Sequence, residues 1–268
     1  MTYVTRDART LYVHPLLALA AAAGLAVMAS TEDPKKEDVL DTRYGPVTTL
    51  GNGTARTYVS VDSRGVPVAV GVALSEGVMQ GLQTGHDHHE NVLSFPDEAG
   101  DTPFQHVTLG WNPAGHEPAG IYDLPHFDMH FYTVSDEDRR RMSPEDPQFQ
   151  EKGERLPGPD YVPNGYVAMP DVLVPMMGNH LLDPTSPELN GNTFTETLIY
   201  GSYDGELIFI EPMITKVWLE TRPEHTEALK LPARYPSAGL WPTEWTARFD
   251  EATREYRIEL GGLTKRDS

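Results

Sequence analysis

Hydrophobic and polar residues alternate most clearly between residues 126 and 132. The apolar positions are Phe127, Met129 and Phe131, and the polar positions are His126, Asp128, His130 and Tyr132. Because successive side chains of a β-strand point to opposite faces, this pattern predicts a strand with one buried apolar face. The aromatic residues also favour a strand over a helix here.

Similar alternation, or a short apolar run, recurs along the chain between turn residues, and each such segment is predicted to be a strand. These segments are 57–62, 66–73, 91–95, 104–111, 172–174, 195–201, 206–214, 245–249 and 255–260. Turn residues at 63–65, 202–205 and 250–253 predict three hairpins.

Few segments favour helices. Short helices are expected at 75–82, capped by Ser75, and at 136–142, capped by Ser135, the second being a solvated surface helix. The chain holds 23 prolines and 23 glycines, and its hydrophobic content is 39%. Together these features predict a mainly β single domain, built as an antiparallel barrel-like fold or a sandwich with a few short helices.

The N-terminal residues have the pattern of an export signal. Arg6 and Arg9 precede an apolar run at 16–29, which ends in Ala29. The run is shorter than the about 20 residues of a membrane-spanning helix. A cleaved signal peptide at 1–29 is therefore expected, with an uncleaved anchor as the alternative, and both place the domain outside the cytoplasm. No stable membrane span is expected after cleavage.

The remaining chain is expected to divide into a linker, a domain and a tail. Residues 30–44 are polar and charged and are predicted to be the linker, 45–263 the β domain, and 264–268 the tail. Six prolines between 143 and 170 predict an excursion over the surface.

Composition excludes several functions. The net charge of -19 makes nucleic-acid binding unfavourable, because phosphate contacts need lysine and arginine. The absence of cysteine excludes disulfides, thiolate metal sites and cysteine catalysis. The sequence also lacks the G-x-S-x-G, G-x-G-x-x-G and P-loop motifs, so a serine hydrolase or nucleotide-binding site is unsupported.

The polar face of the 126–132 strand carries ligand and proton-transfer residues, whereas an ordinary solvated face would carry Lys, Glu, Ser or Thr. Two turn-rich segments supply His116 and His180. We expect four histidines to converge on one pocket with Asp128 beside them, the histidines being His116, His126, His130 and His180. The surrounding pocket residues are expected to be Glu117, Tyr132 and Asp183.

Strand geometry limits which of these residues can share a metal ion. Cα atoms four residues apart on a strand are about 13 Å apart, and metal–ligand bonds are about 2 Å long. His126 and His130 are therefore not expected to bind the same ion unless a bulge or a helical turn brings them together. One of them is then a proton shuttle or a partner of Tyr132.

A second, weaker histidine cluster occurs at 86–90. His86 and His88 could bind a metal if this segment were a strand, but such tracts more often form solvated loops.

Five longer phrases occur in order along the chain. They are GNGTARTYV at 51–59, TPFQHVTLGWNPAGHEPAGIYDLPHFDMHFY at 102–132, MGNHLLDPTSPE at 177–188, IYGSYDGELIFIEPMIT at 199–215 and YPSAGLWPTEWTARFDEATREYRIEL at 235–260. They resemble an uncharacterised bacterial family of secreted or envelope proteins whose structural representative comes from Thermus. The resemblance covers roughly 46–261 and departs from the family at 143–170 and at Trp241.

The resemblance implies a β-barrel-like fold and no particular reaction. The positions that it carries over by motif are His116, His126, Asp128, His130 and His180.

Two functional hypotheses follow. In the first, the pocket binds a divalent metal (Zn, Fe, Mn or Cu, which nitrogen and oxygen ligands do not distinguish) or a small ligand. A bound ion would support hydrolysis or hydration, or oxygen chemistry if it is redox-active. In the second, the protein is a non-catalytic structural or interaction module of the cell envelope, and its His/Asp/Tyr network only pairs buried polar groups. The sequence assigns no enzyme activity and leaves a homo-oligomer open.

Overall fold

Antiparallel strands dominate the structure, which is a computed structural model. It describes residues 41–268, and at positions 170 and 171 it describes only the backbone. In chain order the strands are β1 (Asp41–Tyr44), β2 (Thr48–Leu50), β3 (Gly53–Val61), β4 (Pro67–Ser75), β5 (His89–Ser94), β6 (His106–Asn112), β7 (His126–Tyr132), β8 (Val167–Val174), β9 (Gly178–Leu182), β10 (Glu196–Tyr203), β11 (Glu206–Thr215), β12 (Glu224–Ala228), β13 (Gly239–Trp241), β14 (Glu244–Asp250), β15 (Glu255–Gly261) and β16 (Thr264–Arg266). The α-helices are α1 (Asp136–Arg141), α2 (Phe149–Glu154) and α3 (Lys216–Glu220), and the 3-10 helices are Glu76–Met79, Asp97–Asp101, Pro159–Tyr161 and Pro187–Asn190.

The strands form two seven-stranded sheets and a two-stranded ribbon. The first sheet has the order β1–β3–β4–β15–β14–β12, with β2 also paired to β3. The second has the order β5–β6–β7–β11–β10–β9–β8, and the ribbon pairs β13 with β16. Within residues 41–268 neither sheet closes on itself, so of the two predicted architectures the sandwich fits and the closed barrel does not.

The main hydrophobic core draws its residues from both sheets. Val59, Val72 and Ile258 come from the first sheet, and Leu109 and the apolar residues of β7 come from the second. Each fully buried side chain of this kind contributes about 1.5–3 kcal/mol to folding. Because the apolar side of β7 faces this core, its histidine side faces away from the sandwich interior.

Several predicted elements are confirmed. The mainly β fold class is confirmed, and the three predicted hairpins are β3–β4, β10–β11 and β14–β15. The cap of α1 is also confirmed, since the Ser135 Oγ accepts a hydrogen bond from the Asp138 amide at 3.0 Å. None of the helices within residues 41–268 is long and apolar enough to cross a membrane.

The predicted boundaries of the domain need correction at both ends. Residues 41–44 of the predicted linker form β1, which pairs with β3. Residues 264–266 of the predicted tail form β16, which pairs with β13. The predicted signal peptide at 1–29, and residues 30–40 of the linker, lie outside the described residues.

The predicted helix at 75–82 is wrong in length and type. Only Glu76–Met79 is helical, as a 3-10 helix, and Ser75 does not cap it. The Ser75 Oγ instead accepts a hydrogen bond from the Thr54 amide at 2.8 Å. Glycine is a poor helix former, and the glycines at 77 and 81 explain why the helix stays short.

The helix α1 is less solvated than predicted, because Arg139 is buried. Its guanidinium lies 3.1 Å from Glu90 and 2.9 Å from Asp136. This pairing satisfies the buried charge and ties the helix to β5.

The proline-rich segment at 143–170 contains more regular secondary structure than the predicted surface excursion. It holds α2 and the 3-10 helix Pro159–Tyr161, and its last residues begin β8. Strand β8 lies at the edge of the second sheet, where proline is tolerated because one side of the strand has no ladder partner.

Candidate metal centre

Strand β7 presents His126, Asp128 and His130 on the face of the second sheet that points away from the core, and all three are buried. Its antiparallel register with β6 places Asn112 opposite His126 and Thr108 opposite His130. Both β6 residues carry polar side chains that contact the histidine opposite. The sheet register thus supplies each histidine of β7 with a polar neighbour.

This face borders a cavity of about 660 Å³. Its polar lining includes His88, His116, Asp128, His130, His180 and Glu211. Glu117 and Tyr122 also line it, and they come from the loop between β6 and β7. The cavity therefore gathers side chains from distant parts of the chain onto one face of one sheet.

The first cluster in this region consists of His116, His126 and Asp128. One possible ligand atom from each residue lies within 4.8 Å of the others. The His126 Nε2 is 3.1 Å from the Asp128 Oδ1, and the His116 Nε2 is 3.4 Å from the Asp128 Oδ2. We call this group the first triad.

Backbone carbonyls fix the orientation of both imidazoles in the first triad. The His126 Nδ1–H donates to the Leu124 carbonyl at 2.6 Å, and the His116 Nδ1–H donates to the Glu117 carbonyl at 2.7 Å. In a neutral imidazole the other nitrogen then carries a lone pair. Both Nε2 atoms are therefore directed at the Asp128 carboxylate as acceptors, unless a proton or a cation lies between them.

The Asp128 carboxylate is held ionised. Burial alone would raise its pKa, but the charges and hydrogen bonds of His126 and His116 outweigh burial and hold that pKa well below its usual range. The Asn112 Nδ2–H also donates to the Asp128 Oδ2 at 2.6 Å. Burial alone would lower the pKa of His116, but Asp128 raises it.

The second triad consists of His130, His180 and Glu211, whose candidate ligand atoms also lie within 4.8 Å of one another. The His130 Nε2 is 3.2 Å from the Glu211 Oε1. The other ring nitrogen of His130 contacts the Thr108 hydroxyl at 3.3 Å. Such a contact on the far nitrogen orients histidines that bind metals.

Sheet register explains how Glu211 and His180 reach His130. The pairs Ile210–Phe131 and Met213–Asp128 on either side fix Glu211 opposite His130. His180 lies on β9 opposite Gly201 of β10, which adds no side chain between them. The Phe209 ring covers this position, with its centroid 4.8 Å from the His130 ring and 5.6 Å from the His180 ring.

Burial disfavours charge on all three members of the second triad. Burial, reinforced by the nearby charge of Asp128, raises the pKa of Glu211 well above its usual range. Burial lowers the pKa of His130 to about 3 and that of His180 to about 4. Of the two buried carboxyl groups, Asp128 therefore favours the ionised form, because it has hydrogen-bond donors, and Glu211 favours the neutral form.

The structure brings together most of the predicted site residues, but in two groups. His116, His126 and Asp128 form one group, and His130 and His180 belong to the other. His126 and His130 fall in separate groups, as their spacing on a strand predicts.

Several other predicted pocket residues lie elsewhere. Asp183 pairs with Lys230 and Thr185 and does not line the cavity. Tyr132 also lies outside the lining, where its hydroxyl donates to the Met176 carbonyl and its ring stacks on His130 and His106. Glu117 does line the cavity.

The second histidine cluster divides. His88 lines the cavity, and its Nδ1 lies 2.8 Å from the Asn112 Oδ1. Gly110 makes room for it, because a Cβ there would lie 2.7 Å from the His88 ring. His86 is exposed and is not among the lining residues, so the two do not form a metal pair on a strand.

Sequence reasoning missed Glu211 and Asn112. Glu211 is a lone acid in the apolar run ELIFIEPMIT at 206–215. A carboxylate in a buried strand is costly unless it has a partner, so its position was a usable signal. Asn112 ends an apolar strand and gave no comparable signal.

The fold and the cavity define a β-sandwich protein with two His/carboxylate triads at one face of its second sheet, in which the exposed His116 comes from a loop and the other members are buried or half-buried. Residues 62–111 match the family described as TTHB210-like, hypothetical protein TTHB210, which is uncharacterised and takes its name from a Thermus protein. This match confirms the family resemblance over those residues. They include His88 and Thr108 but none of the triad residues. No curated protein and no solved structure matches the chain.

Proposed function

We propose that the cavity binds divalent transition-metal ions through the two triads. The observation that carries this proposal is a group of buried polar atoms without hydrogen-bond partners. Among residues 41–268, the atoms in this condition at the site are the Asp128 Oδ1, His130 Nε2, His180 Nδ1 and Glu211 Oε2. Buried polar atoms are rarely left unpaired, and all four belong to the groups that could hold a metal.

The orientation of the imidazoles supports the same proposal. The Nδ1 atoms of His116 and His126 are occupied by carbonyls, so both Nε2 atoms are left to face the Asp128 carboxylate through a proton or a cation. A metal ion in the place of those protons would be coordinated by all three groups. Each triad offers two imidazoles and one carboxylate, which suits Zn, Fe, Mn or Cu and leaves coordination positions for water or a ligand.

The structural alternative requires the network to satisfy itself. Part of it does, since Asn112 donates to Asp128. The second triad does so only in part: a protonated Glu211 can donate to the His130 Nε2, which lies 3.2 Å from its Oε1, but the His180 Nδ1 and the Glu211 Oε2 have no partner among the described residues. A His/Asp/Tyr network built only for stability would also include Tyr132, whose hydroxyl instead bonds a backbone carbonyl.

Metal analysis tests the proposal. The protein, expressed without a histidine tag and dialysed against Zn²⁺, is expected to retain up to two equivalents by elemental analysis. His116→Ala and His180→Ala are each expected to remove one equivalent, because each truncates a different triad. The matched control is His86→Ala, which removes an exposed histidine outside the cavity and should leave the metal content unchanged.

Circular dichroism of each variant checks that it is folded. A folded wild-type protein that retains no more metal than the double variant His116→Ala/His180→Ala would overturn the proposal and favour the structural alternative.

We also propose that the protein acts outside the cytoplasm. The support is the sequence of residues 1–29, with Arg6 and Arg9 before an apolar run that ends at Ala29. Mass spectrometry of the protein from its native cells is expected to show a chain that begins near Ser30 and fractionates outside the cytoplasm. An intact Met1 on a cytoplasmic protein would contradict this proposal.

A further inference from the structure

The cavity lining has two chemically different parts. The triads supply its polar part, and apolar side chains from β8 to β11 and the turns between them supply the other part, which we call the apolar wall. The apolar wall includes Met169, Val174, Met177, Leu182, Ile199 and Met213. A site meant only to hold ions needs no such wall, whereas small-molecule sites combine an apolar surface with a few polar groups that fix orientation.

The net charge of the cavity with a divalent metal ion bound indicates which kind of ligand would lie against the apolar wall. A divalent ion in one triad gains a single carboxylate charge from that triad, so one positive charge stays unbalanced. The residues that line the cavity include no lysine or arginine, and the other acid on its lining is Glu117. An unbalanced charge next to an apolar surface is costly, and an anionic oxygen ligand removes that cost.

We propose that the metal-loaded cavity binds small carboxylic acids with an apolar tail. The carboxylate lies at the triads, and the tail packs against the apolar wall. This inference rests on the proposed metal binding. A sugar or a phosphate ester fits less well, because its other polar groups would lie against side chains that cannot pair with them.

The size and composition of the cavity agree with such a ligand. Its volume of about 660 Å³ lies within the usual range for small-molecule sites, about 300–1,000 Å³. Three of the wall residues are methionines, whose flexible side chains adapt to tails of different shape. The His116 side chain is 39% exposed, so the cavity is accessible from solvent on the side of the first triad.

Titration calorimetry with acetate, hexanoate and decanoate tests the inference on Zn²⁺-loaded protein. The affinity is expected to rise by about fourfold for each methylene until the tail fills the apolar wall. Decanol, which has the tail without the carboxylate, is expected to bind at least tenfold more weakly than decanoate. Protein stripped with EDTA is expected to lose at least tenfold in decanoate affinity.

Two matched variants at position 177 distinguish the contribution of the apolar wall to ligand binding from that of the metal. Met177→Gln keeps the length of the side chain but adds polar atoms, and it should weaken decanoate binding about tenfold with metal content unchanged. Met177→Leu keeps the wall apolar and should stay within twofold of wild type. The acetate affinity should be the same in both variants.

Metal content measured on the same samples distinguishes the two proposals. A protein without metal contradicts the proposed function itself. A protein that binds metal, but shows no dependence on chain length or binds decanol as tightly as decanoate, overturns only the ligand inference.

Discussion

Glu211→Gln is expected to raise the free energy of unfolding of the metal-free protein by up to about 4 kcal/mol at pH 7, because the wild-type chain must protonate Glu211 to bury it and each pH unit above the unfolded pKa of about 4.3 adds up to about 1.4 kcal/mol to that cost. Glu211 is almost fully buried, and its Oε2 has no hydrogen-bond partner among residues 41–268. Burial holds its pKa well above the usual value. Glutamine has nearly the same shape and needs no proton to stay neutral, so it removes the cost of burying this acid.

The pH dependence of this gain has a definite sign. The folded-state pKa of Glu211 is raised, so the folded protein keeps a proton that the unfolded chain releases above about pH 4.3. The wild-type protein therefore loses stability relative to Glu211→Gln as the pH rises above that value, by up to about 1.4 kcal/mol for each pH unit. The difference should be small at pH 4.5 and largest at pH 8.

Urea denaturation in EDTA at pH 4.5, 6, 7 and 8 measures this difference. The control is Glu206→Gln, the same change at an exposed position of the same strand, for which we expect no pH-dependent gain. The Glu211→Gln protein should also retain one metal equivalent fewer than wild type, because its second triad lacks a carboxylate. A variant that is less stable than wild type throughout this pH range would show that Glu211 contributes to stability, as the structural alternative requires.

The strands that were predicted have a local pattern, and those that were missed do not. Strand β7 alternates cleanly and holds three aromatic residues, so its sequence is sufficient. Strand β12 reads EHTEA and is largely exposed, and it is a strand only because β14 pairs with it. The short strands β1 and β16 are likewise strands because β3 and β13 pair with them. Pairing partners far along the chain define these elements, and no local window contains them.

The part of the candidate site that lies on one strand was likewise predictable, and the part that depends on sheet register was not. Three polar residues on one face of one strand could be read directly, and their spacing keeps His126 and His130 apart, in the separate groups that the structure shows. The division into two triads depends on the register of β7 with β11 and on Gly201, both of which involve residues distant in sequence. Glu211 enters the site only through that register, so a search restricted to histidine motifs did not find it.

The corresponding change at the other buried carboxylate is expected to have the opposite sign. Asp128→Asn should lower the free energy of unfolding of the metal-free protein by about 1–3 kcal/mol, the usual cost of losing hydrogen bonds to a buried charged group, since the ion pair with the 39% exposed His116 is partly screened by solvent. Asp128 accepts a hydrogen bond from the Asn112 Nδ2 at 2.6 Å and lies within 3.4 Å of two imidazoles. An amide there carries no charge to balance His116, whose pKa Asp128 raises.

Two titrations set the pH window of this loss. The folded-state pKa of Asp128 is depressed, so its contribution is present above the unfolded value of about 3.9 and is lost as the pH falls through the folded pKa. The folded-state pKa of His116 is raised, so its contribution is present below about 6.5 and is lost as the pH rises through the folded pKa. The deficit of Asp128→Asn should therefore be largest at about pH 5–6 and smaller at pH 8.

Urea denaturation in EDTA at pH 5.5 and pH 8 tests this prediction. The control is Asp123→Asn, the same change at an exposed residue of the preceding loop, which should stay within about 0.5 kcal/mol of wild type. Zn²⁺ at 100 times the dissociation constant should stabilise the wild-type protein by about 2.7 kcal/mol for each occupied site. Asp128→Asn should lose the part of this stabilisation that comes from the first triad. If Asp128→Asn and Glu211→Gln changed stability in the same direction, the two carboxylates would not hold the different charges that the hydrogen bonds around them require.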